Sequence, residues 1–247
     1  MLTGFLTRLE KGVGKIGKKI EERNQKLHSI LRKILLLKYI KIFKPTVEWN
    51  RNWNNYSWEE DGDEWKEQAE YCKQPYEKWK QSLIETFITP NVKKQTTVLN
   101  IAPGHGRSTK HIINSKELIL VDLNKNCIEY CKKIFSKNKN IKYYVNDGKT
   151  LPFIKNNSID FIWSYDSFVH MRKEVINSYF REFSRILKKQ GKAIIHHSSE
   201  TRKGFRSGVT LKDIDNIIEK NKLHLELRTD SWGKNKEYNC KLNKDYI

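Results

Sequence analysis

The stretch Val98-Leu99-Asn100-Ile101-Ala102-Pro103-Gly104-His105-Gly106-Arg107 constrains the chain more than any other. An apolar run leads into Gly-x-Gly, and a helix-like segment, Ser108 to Ile113, follows. Gly104 and Gly106 lack a Cβ, so the turn can take dihedrals closed to other residues and leave room for a ligand against the backbone. The start of the following helix would offer free N–H groups to a nucleotide-like molecule. Two glycines in a tight turn are weak evidence alone, because many such turns bind nothing. The rest of the chain has to decide.

From Thr96 onward the pattern alternates between strands and helices. Strands are predicted at 97–101, 117–121, 141–145, 158–164, 191–197 and 223–229, with a seventh at 236–242. Helices are predicted at about 107–114, 124–136, 173–188 and 210–220. Short apolar strands alternating with helices imply an α/β fold. The expectation is a Rossmann-like, seven-stranded, mostly parallel sheet with helices on both faces. Ligands of such sheets bind outside the carboxyl ends of the strands, near the switch point beside the first strand. Functional residues should therefore sit just after each strand.

After the first strand comes Gly104-His105-Gly106. After the second comes Val121-Asp122-Leu123-Asn124, where a carboxylate can accept both hydroxyls of a ribose. Asp122 could instead be a helix cap, but Asn124 is available for that purpose. After the third comes Asn146-Asp147-Gly148, whose acid could accept an adenine amino group. After the fourth comes Ser164-Tyr165-Asp166-Ser167-Phe168-Val169-His170-Met171, and after the fifth His196-His197-Ser198-Ser199.

As a set, these segments resemble the class I S-adenosylmethionine-dependent methyltransferases over about residues 96–200, in particular the methyltransferase type 11-like domain. Val98 to Arg107 resembles the family's first motif, Val121 to Asn124 its ribose-binding acidic motif, and Asn146-Asp147-Gly148 followed by Leu151-Pro152-Phe153 its adenine-side motif. Ser158 to Ser164 resembles the fourth strand. Phe183 to Lys192 is similar to the R-x-L-K-P-G-G turn into the fifth. The resemblance implies S-adenosyl-L-methionine as cofactor, held by Asn100, Ala102, Gly104, Gly106, Arg107, Asp122, Leu123, Asp147, Gly148 and Ser164, and it implies no metal. The chain departs from the family at Asn100, which is usually acidic, and at Ala102, which is usually Gly. An amide replaces a charge that normally helps hold the cofactor's ammonium group. A hydrogen bond to a charged group is worth ~1.5–3 kcal/mol against ~1 for a neutral one, so these departures bear on cofactor affinity. A dinucleotide site is disfavoured, since Gly-x-Gly-x-x-Gly would need glycine where the chain has Thr109.

Methyl transfer requires the protein to align the acceptor and, for a hydroxyl, to remove its proton. The candidate bases are Asp166, His170, His196 and His197, with Asp166, His170 and His197 taken as the catalytic set. His196 and His197 face opposite sides if both lie in a strand, so at most one reaches the pocket.

Ahead of this domain lie two further regions, giving boundaries at 1–44, 45–95 and 96–247. Residues 1–44 carry twelve basic against three acidic residues, with Leu2, Phe5, Leu6, Leu9, Val13, Ile16 and Ile20 at helical spacing. A basic amphipathic helical extension of this kind can lie on an anionic membrane surface. Charges at Arg32, Lys33, Lys38 and Lys41 interrupt its apolar run well short of the ~20 residues of a spanning helix. No small-residue cleavage site marks a signal peptide. Residues 45–95 hold Trp49, Trp53, Tyr56, Trp58 and Trp65, expected to form a cap or lid, and a helix from Pro75 to Ile88.

The whole chain has a formal net charge of +19, which favours anionic partners. A small-molecule or glycan acceptor, phosphorylated or sugar-like, fits an O-methyltransferase whose Thr201 to Gly208 segment carries Arg202, Lys203 and Arg206. The likeness extends loosely to bacterial methyltransferases associated with surface polysaccharides. A nucleic-acid methyltransferase or binder is the weaker alternative, because no Asn/Asp-Pro-Pro-Tyr follows the fourth strand and no separate RNA-binding module is seen. A non-catalytic membrane-associated protein with a degenerate cofactor site is a further one. The four cysteines match no zinc spacing and suit a reducing, cytoplasmic compartment, with peripheral attachment to the inner membrane face.

Overall fold

The computed structural model describes residues 63–199, 207–240 and 245–247. The basic extension, most of the Trp-rich segment and Arg202, Lys203 and Arg206 lie outside the described residues.

Two faces of one sheet are already separable in the strands' own alternation. Strands β1 (Thr97–Ile101), β2 (Glu117–Asp122), β3 (Ile141–Val145), β4 (Ile159–Ser164) and β5 (Leu187–Ile195) form a parallel sheet in the order β3-β2-β1-β4-β5. Successive side chains point to opposite faces. Val98, Leu118, Leu120, Phe161 and Trp163 therefore enter one core, while Leu99, Ile119, Val121 and Ile162 enter the other. β1 and β2 are apolar on both faces because both are covered.

The first core is closed by α1 (Asp63–Tyr71) and α2 (Tyr76–Leu83), the latter continuing as a π-turn over Ile84–Ile88. Helix α3 (Lys125–Ile134) adds Ile128 and Cys131 to the same core. The second core is closed by α4 (Lys173–Ile186), whose Ile176, Tyr179, Phe180, Phe183 and Ile186 are buried, and by α5 (Leu211–Lys220) through Ile214 and Ile217. Each such side chain contributes ~1.5–3 kcal/mol by leaving water. α5 starts on a capping box: Thr210 Oγ1 accepts from the Asp213 N–H, and Asp213 accepts from the Thr210 N–H.

The fold class stands as the sequence implies, with three local corrections. First, the parallel sheet has five strands among the described residues. Segment 223–229 does not join it: Leu225 and Leu227 are exposed, and Glu226 and Arg228 pair with Lys192 and Asp215 instead. Thr229 exchanges both backbone hydrogen bonds with Ile247. Of the predicted 236–242 strand, Tyr238–Asn239 form β8, paired with β7 (Ser231–Trp232), and 241–242 lie outside the described residues; β6 (His197–Ser198) pairs with β9 (Asp245–Tyr246). Second, the helix predicted after Gly106 is only a 3-10 turn at Thr109–His111. β-branched Thr109, Ile112 and Ile113, followed by Asn114 and Ser115, are poor helix formers in so short a span. Third, β5 begins at Leu187, four residues early, and shifts register between Ile159 and Phe161 of its partner.

Candidate active site

Strand order reverses between β1 and β4, so the crevice of the fold lies at their carboxyl ends. The β1 turn is fixed there from three sides. Asp122, at the end of β2, accepts from the Asn124 N–H at 2.8 Å through Oδ1 and from the Gly104 N–H at 3.4 Å through Oδ2. The Cys131 thiol donates to the Gly104 carbonyl at 3.3 Å. Gly106 has φ +85°, and a Cβ there would stand 2.6 Å from the ring of Phe135. The turn is thus a cradle that no larger side chain can occupy. Asn124 caps α3 by accepting from the Asn126 N–H. The cap role is filled by Asn124, which leaves the Asp122 carboxylate for a ligand. Burial pushes its pKa up to about 6 against the N–H groups of Asn124 and Gly104, which pull it down.

The departures from the family pattern acquire physical readings. Asn100 is buried, and its amide donates to Thr109 Oγ1 at 2.9 Å, holding the 3-10 turn beneath the glycines. Ala102 lies at φ +54°, a left-handed conformation that glycine adopts freely and alanine adopts at a cost of ~1 kcal/mol. Arg107 packs 4.9 Å over the Trp65 ring, joining α1 to the turn. His105 stacks on Tyr130 at 3.9 Å.

Leu123 is half-buried beside Asp122. Asp147 is exposed and organises its own turn, accepting from the N–H groups of Lys149 and Thr150 and from the Thr150 hydroxyl. Burial raises its pKa, but these bonds outweigh it and hold the carboxyl below the usual range. A carboxylate has about four acceptor sites, so a further donor can still be taken. Gly148, at φ +73°, donates to the Asn146 side chain, which also bonds Tyr179. Ser164 is fully buried and donates to the Ile101 carbonyl at 2.9 Å, pinning the ends of β4 and β1 together. Arg185 shows why the R-x-L-K turn needs arginine: it bonds the Leu151 and Ile154 carbonyls and the carboxylate of Glu182.

Residues 98–191 match the family described as a methyltransferase domain. The chain carries a class I S-adenosylmethionine-dependent methyltransferase domain. Its cofactor is S-adenosylmethionine, and the cradle at Gly104 and Gly106 with the buried Asp122 carboxylate fits that molecule's nucleoside. Solved structures share the fold. One is a geranyl diphosphate C-methyltransferase from Streptomyces coelicolor, at 15% identity and TM-score 0.58, covering 75% of this chain and 81% of that one. Another is a protein from Pyrococcus horikoshii, at 19% identity and TM-score 0.52, covering 71% and 90%. A third is described as a putative methyltransferase from Bacillus halodurans, at 17% identity and TM-score 0.51, covering 60% and 71%. No curated protein matches the sequence.

Just beyond β4 and β5, the structure brings together Asp166, Tyr165 and His196. Asp166 sits at φ +62° just beyond β4, and its N–H donates to His196 Nδ1 at 3.1 Å, with its carboxylate 3.8 Å away. Tyr165 stacks on His196 at 4.3 Å and meets the edge of Trp65 at 5.4 Å. His170 is half-buried and closes the 3-10 turn Phe168–His170.

His197 is buried at the position after His196. Its Nδ1–H donates to the Ser198 carbonyl at 2.9 Å, and burial, reinforced by Arg228, lowers its pKa to about 4. That ring is neutral at pH 7, and it is His196 that bonds Asp166. The alternation of the strand end could separate the two histidines but not say which faced the site. Of the aromatics expected to form a cap, Trp65 is described: it is buried on α1 and meets Tyr165 and Arg107.

Proposed function

We propose that the domain O-methylates a small polar acceptor of sugar type, carrying a phosphate or another anionic group, in the cytoplasm. The observation that carries this reading is the Asp166–His196 pair beside half-buried Tyr165, at the sheet edge where an acceptor meets the cofactor. Because Nδ1 of His196 accepts from the Asp166 N–H, the neutral ring carries its proton on Nε2. His196 then serves as a donor that orients an oxygen, and Asp166 serves as the base that takes the acceptor's proton. The left-handed backbone at Asp166 costs ~1 kcal/mol or more, a strain of the kind held at functional sites. When bound, the cofactor supplies an activated methyl group on a sulfonium. Tyr165 is stacked between His196 and Trp163 and so fixes the plane of the His196 ring. The segment after Ser164 has Tyr165-Asp166-Ser167 in place of a base-methylating Pro-Pro-Tyr.

The test incubates the protein with methyl-labelled S-adenosylmethionine and separate pools of sugar nucleotides, phosphosugars, glycolipid precursors and RNA. Label is expected in a carbohydrate pool. Asp166→Asn should lower kcat by about 10²–10³-fold while cofactor affinity stays within threefold. Label appearing in RNA alone would overturn the reading.

A further inference from the structure

The sheet's other edge, where strands begin, has a different chemistry. In segments 89–97, 113–117, 135–141, 155–160 and 187–190 stand Lys93, Lys94, Lys116, Lys137, Lys139, Lys155, Lys188 and Lys189. These eight lysines face two carboxylates, Glu117 and Asp160, with no arginine among them. The two carboxylates are already paired, with Lys142 at 2.8 Å and Lys188 at 2.7 Å. All eight lysines are exposed.

The segments form one continuous rim. The Asn140 side chain bonds the Ile113 and Ser115 carbonyls, the Lys116 N–H bonds the Thr96 carbonyl, and the Thr97 N–H bonds Asp160, which Lys188 reaches. Helix C-termini also end here, and their partial negative charge accommodates a cation or two each. That does not account for Lys94, Lys116 and Lys155, which lie in loops just ahead of strands.

We infer that this rim is a docking surface for an anionic lipid bilayer. A row of lysines is a set of compact hydrated point charges that responds to a diffuse negative field, unlike the planar forks of arginine that select individual phosphates. No aromatic residue except Phe135, which is buried against Gly106, occurs in the five segments, so the rim lacks the stacking platform of a single-strand nucleic-acid surface. Leu225 and Leu227, 41% and 67% exposed, lie on the segment that Glu226 ties to β5 at Lys192, and they offer apolar contact beside that strand. The strands are five to nine residues long. At ~3.3 Å per residue they hold the cofactor edge about 17–30 Å from the surface. The acceptor then arrives from solution or on a long polar head, and the site does not touch the acyl region.

The test uses the full chain and vesicles of 30% phosphatidylglycerol in phosphatidylcholine, with pure phosphatidylcholine as reference, sedimented at 0.15 M and 0.5 M NaCl. Lys94, Lys116, Lys137, Lys139 and Lys189 are changed together to Gln. A second variant changes Lys66, Lys78, Lys212, Lys234 and Lys236 to Gln, an equal loss of charge elsewhere on the domain. Circular dichroism and titration with S-adenosylhomocysteine verify that both variants fold and bind. Partitioning to the anionic vesicles should fall at least tenfold in the rim variant and no more than threefold in the control, with both effects suppressed at high salt. Equal losses in the two variants would overturn the rim as a surface, because only total charge would matter. So would unchanged vesicle binding by the rim variant, or a rim-dependent shift of a 30-nucleotide RNA without rim-dependent vesicle binding.

Discussion

At the carboxyl ends of the strands, Asp122, Asp147 and Asp166 share segments with four cations, Arg107, Lys125, Lys149 and Arg172. At the amino ends, eight lysines meet two paired carboxylates. Both edges belong to the same five strands, so the sheet itself does not decide the difference. What differs is how each charge is held. The acids of the first edge are individually held: the Asp122 carboxylate by two backbone N–H groups, the Asp147 carboxylate by its own turn, and Asp166 by its backbone N–H on His196, with its carboxylate 3.8 Å from the same ring nitrogen. The lysines of the second edge are exposed side chains, six on loops and two, Lys188 and Lys189, at the start of β5, where Lys188 alone meets a carboxylate, Asp160. Fixed charges recognise one molecule in one pose, whereas loose charges sum to a field.

The sharpest way to break this comparison is at Gly106. Gly106→Ala puts a Cβ 2.6 Å from the Phe135 ring in a left-handed conformation, together costing ~2–4 kcal/mol. Cofactor affinity should fall at least thirtyfold by calorimetry, and Phe135→Leu in the same chain should recover part of it. The five-lysine rim variant should leave that affinity within twofold. Comparable losses in both would mean the two edges are not independent.

A second effect follows the pH. Asp122 must be ionised to accept ribose hydroxyls, and burial has raised its pKa to about 6. Cofactor affinity should be flat above pH 7 and fall towards tenfold per unit below 6, with proton release on binding near pH 6, read as a buffer-dependent heat. Stability of the free protein runs the other way. The folded state keeps the Asp122 proton between about 4 and 6 while the unfolded chain has lost it. The contribution is therefore greatest below pH 4 and is lost as pH rises through 6, by ~2–3 kcal/mol. Denaturant titrations of wild type and Asp122→Ala at pH 5 and 8 isolate it: their stability difference should shift in favour of the variant at pH 8.

The smallest effect is at Ala102. Ala102→Gly relieves the φ of +54° and should raise the melting temperature by about 1–4 °C, with cofactor affinity unchanged or modestly improved. A drop in melting temperature would mean that the greater freedom of glycine in the unfolded chain outweighs the relief.

The chain's own pattern carried the first four strands well. Val98 to Ile101, Leu118 to Val121 and Ile159 to Ser164 are apolar on both faces, and only a covered parallel sheet uses such runs. It failed at 223–229, where Leu223, Leu225 and Leu227 alternate as a strand should. Alternation encodes a face and says nothing about whether a neighbour supplies the hydrogen bonds. It also failed at 107–114, where weak local helix propensity meets a contact nine residues away, Thr109 being held by the side chain of Asn100. On the cofactor side, Asp122 and the two glycines stood out because their position after a strand has one geometric meaning. On the acceptor side, choosing between His196 and His197 needed the strand's exact end, and a one-residue difference there exchanges the two faces. The lysine rim was in plain view, yet its members come from five separate segments and become a surface only when the sheet aligns them.

The central claim is that the β1 turn and Asp122 hold the nucleoside of S-adenosylmethionine. It is tested most directly by calorimetric titration of S-adenosylhomocysteine at pH 8 into wild type and Asp122→Ala, with NAD as a control. Micromolar binding by the wild type, weakened at least thirtyfold in the variant and absent with NAD, is the predicted result. Equal affinity in the two proteins, or no binding by a folded wild type, would contradict it.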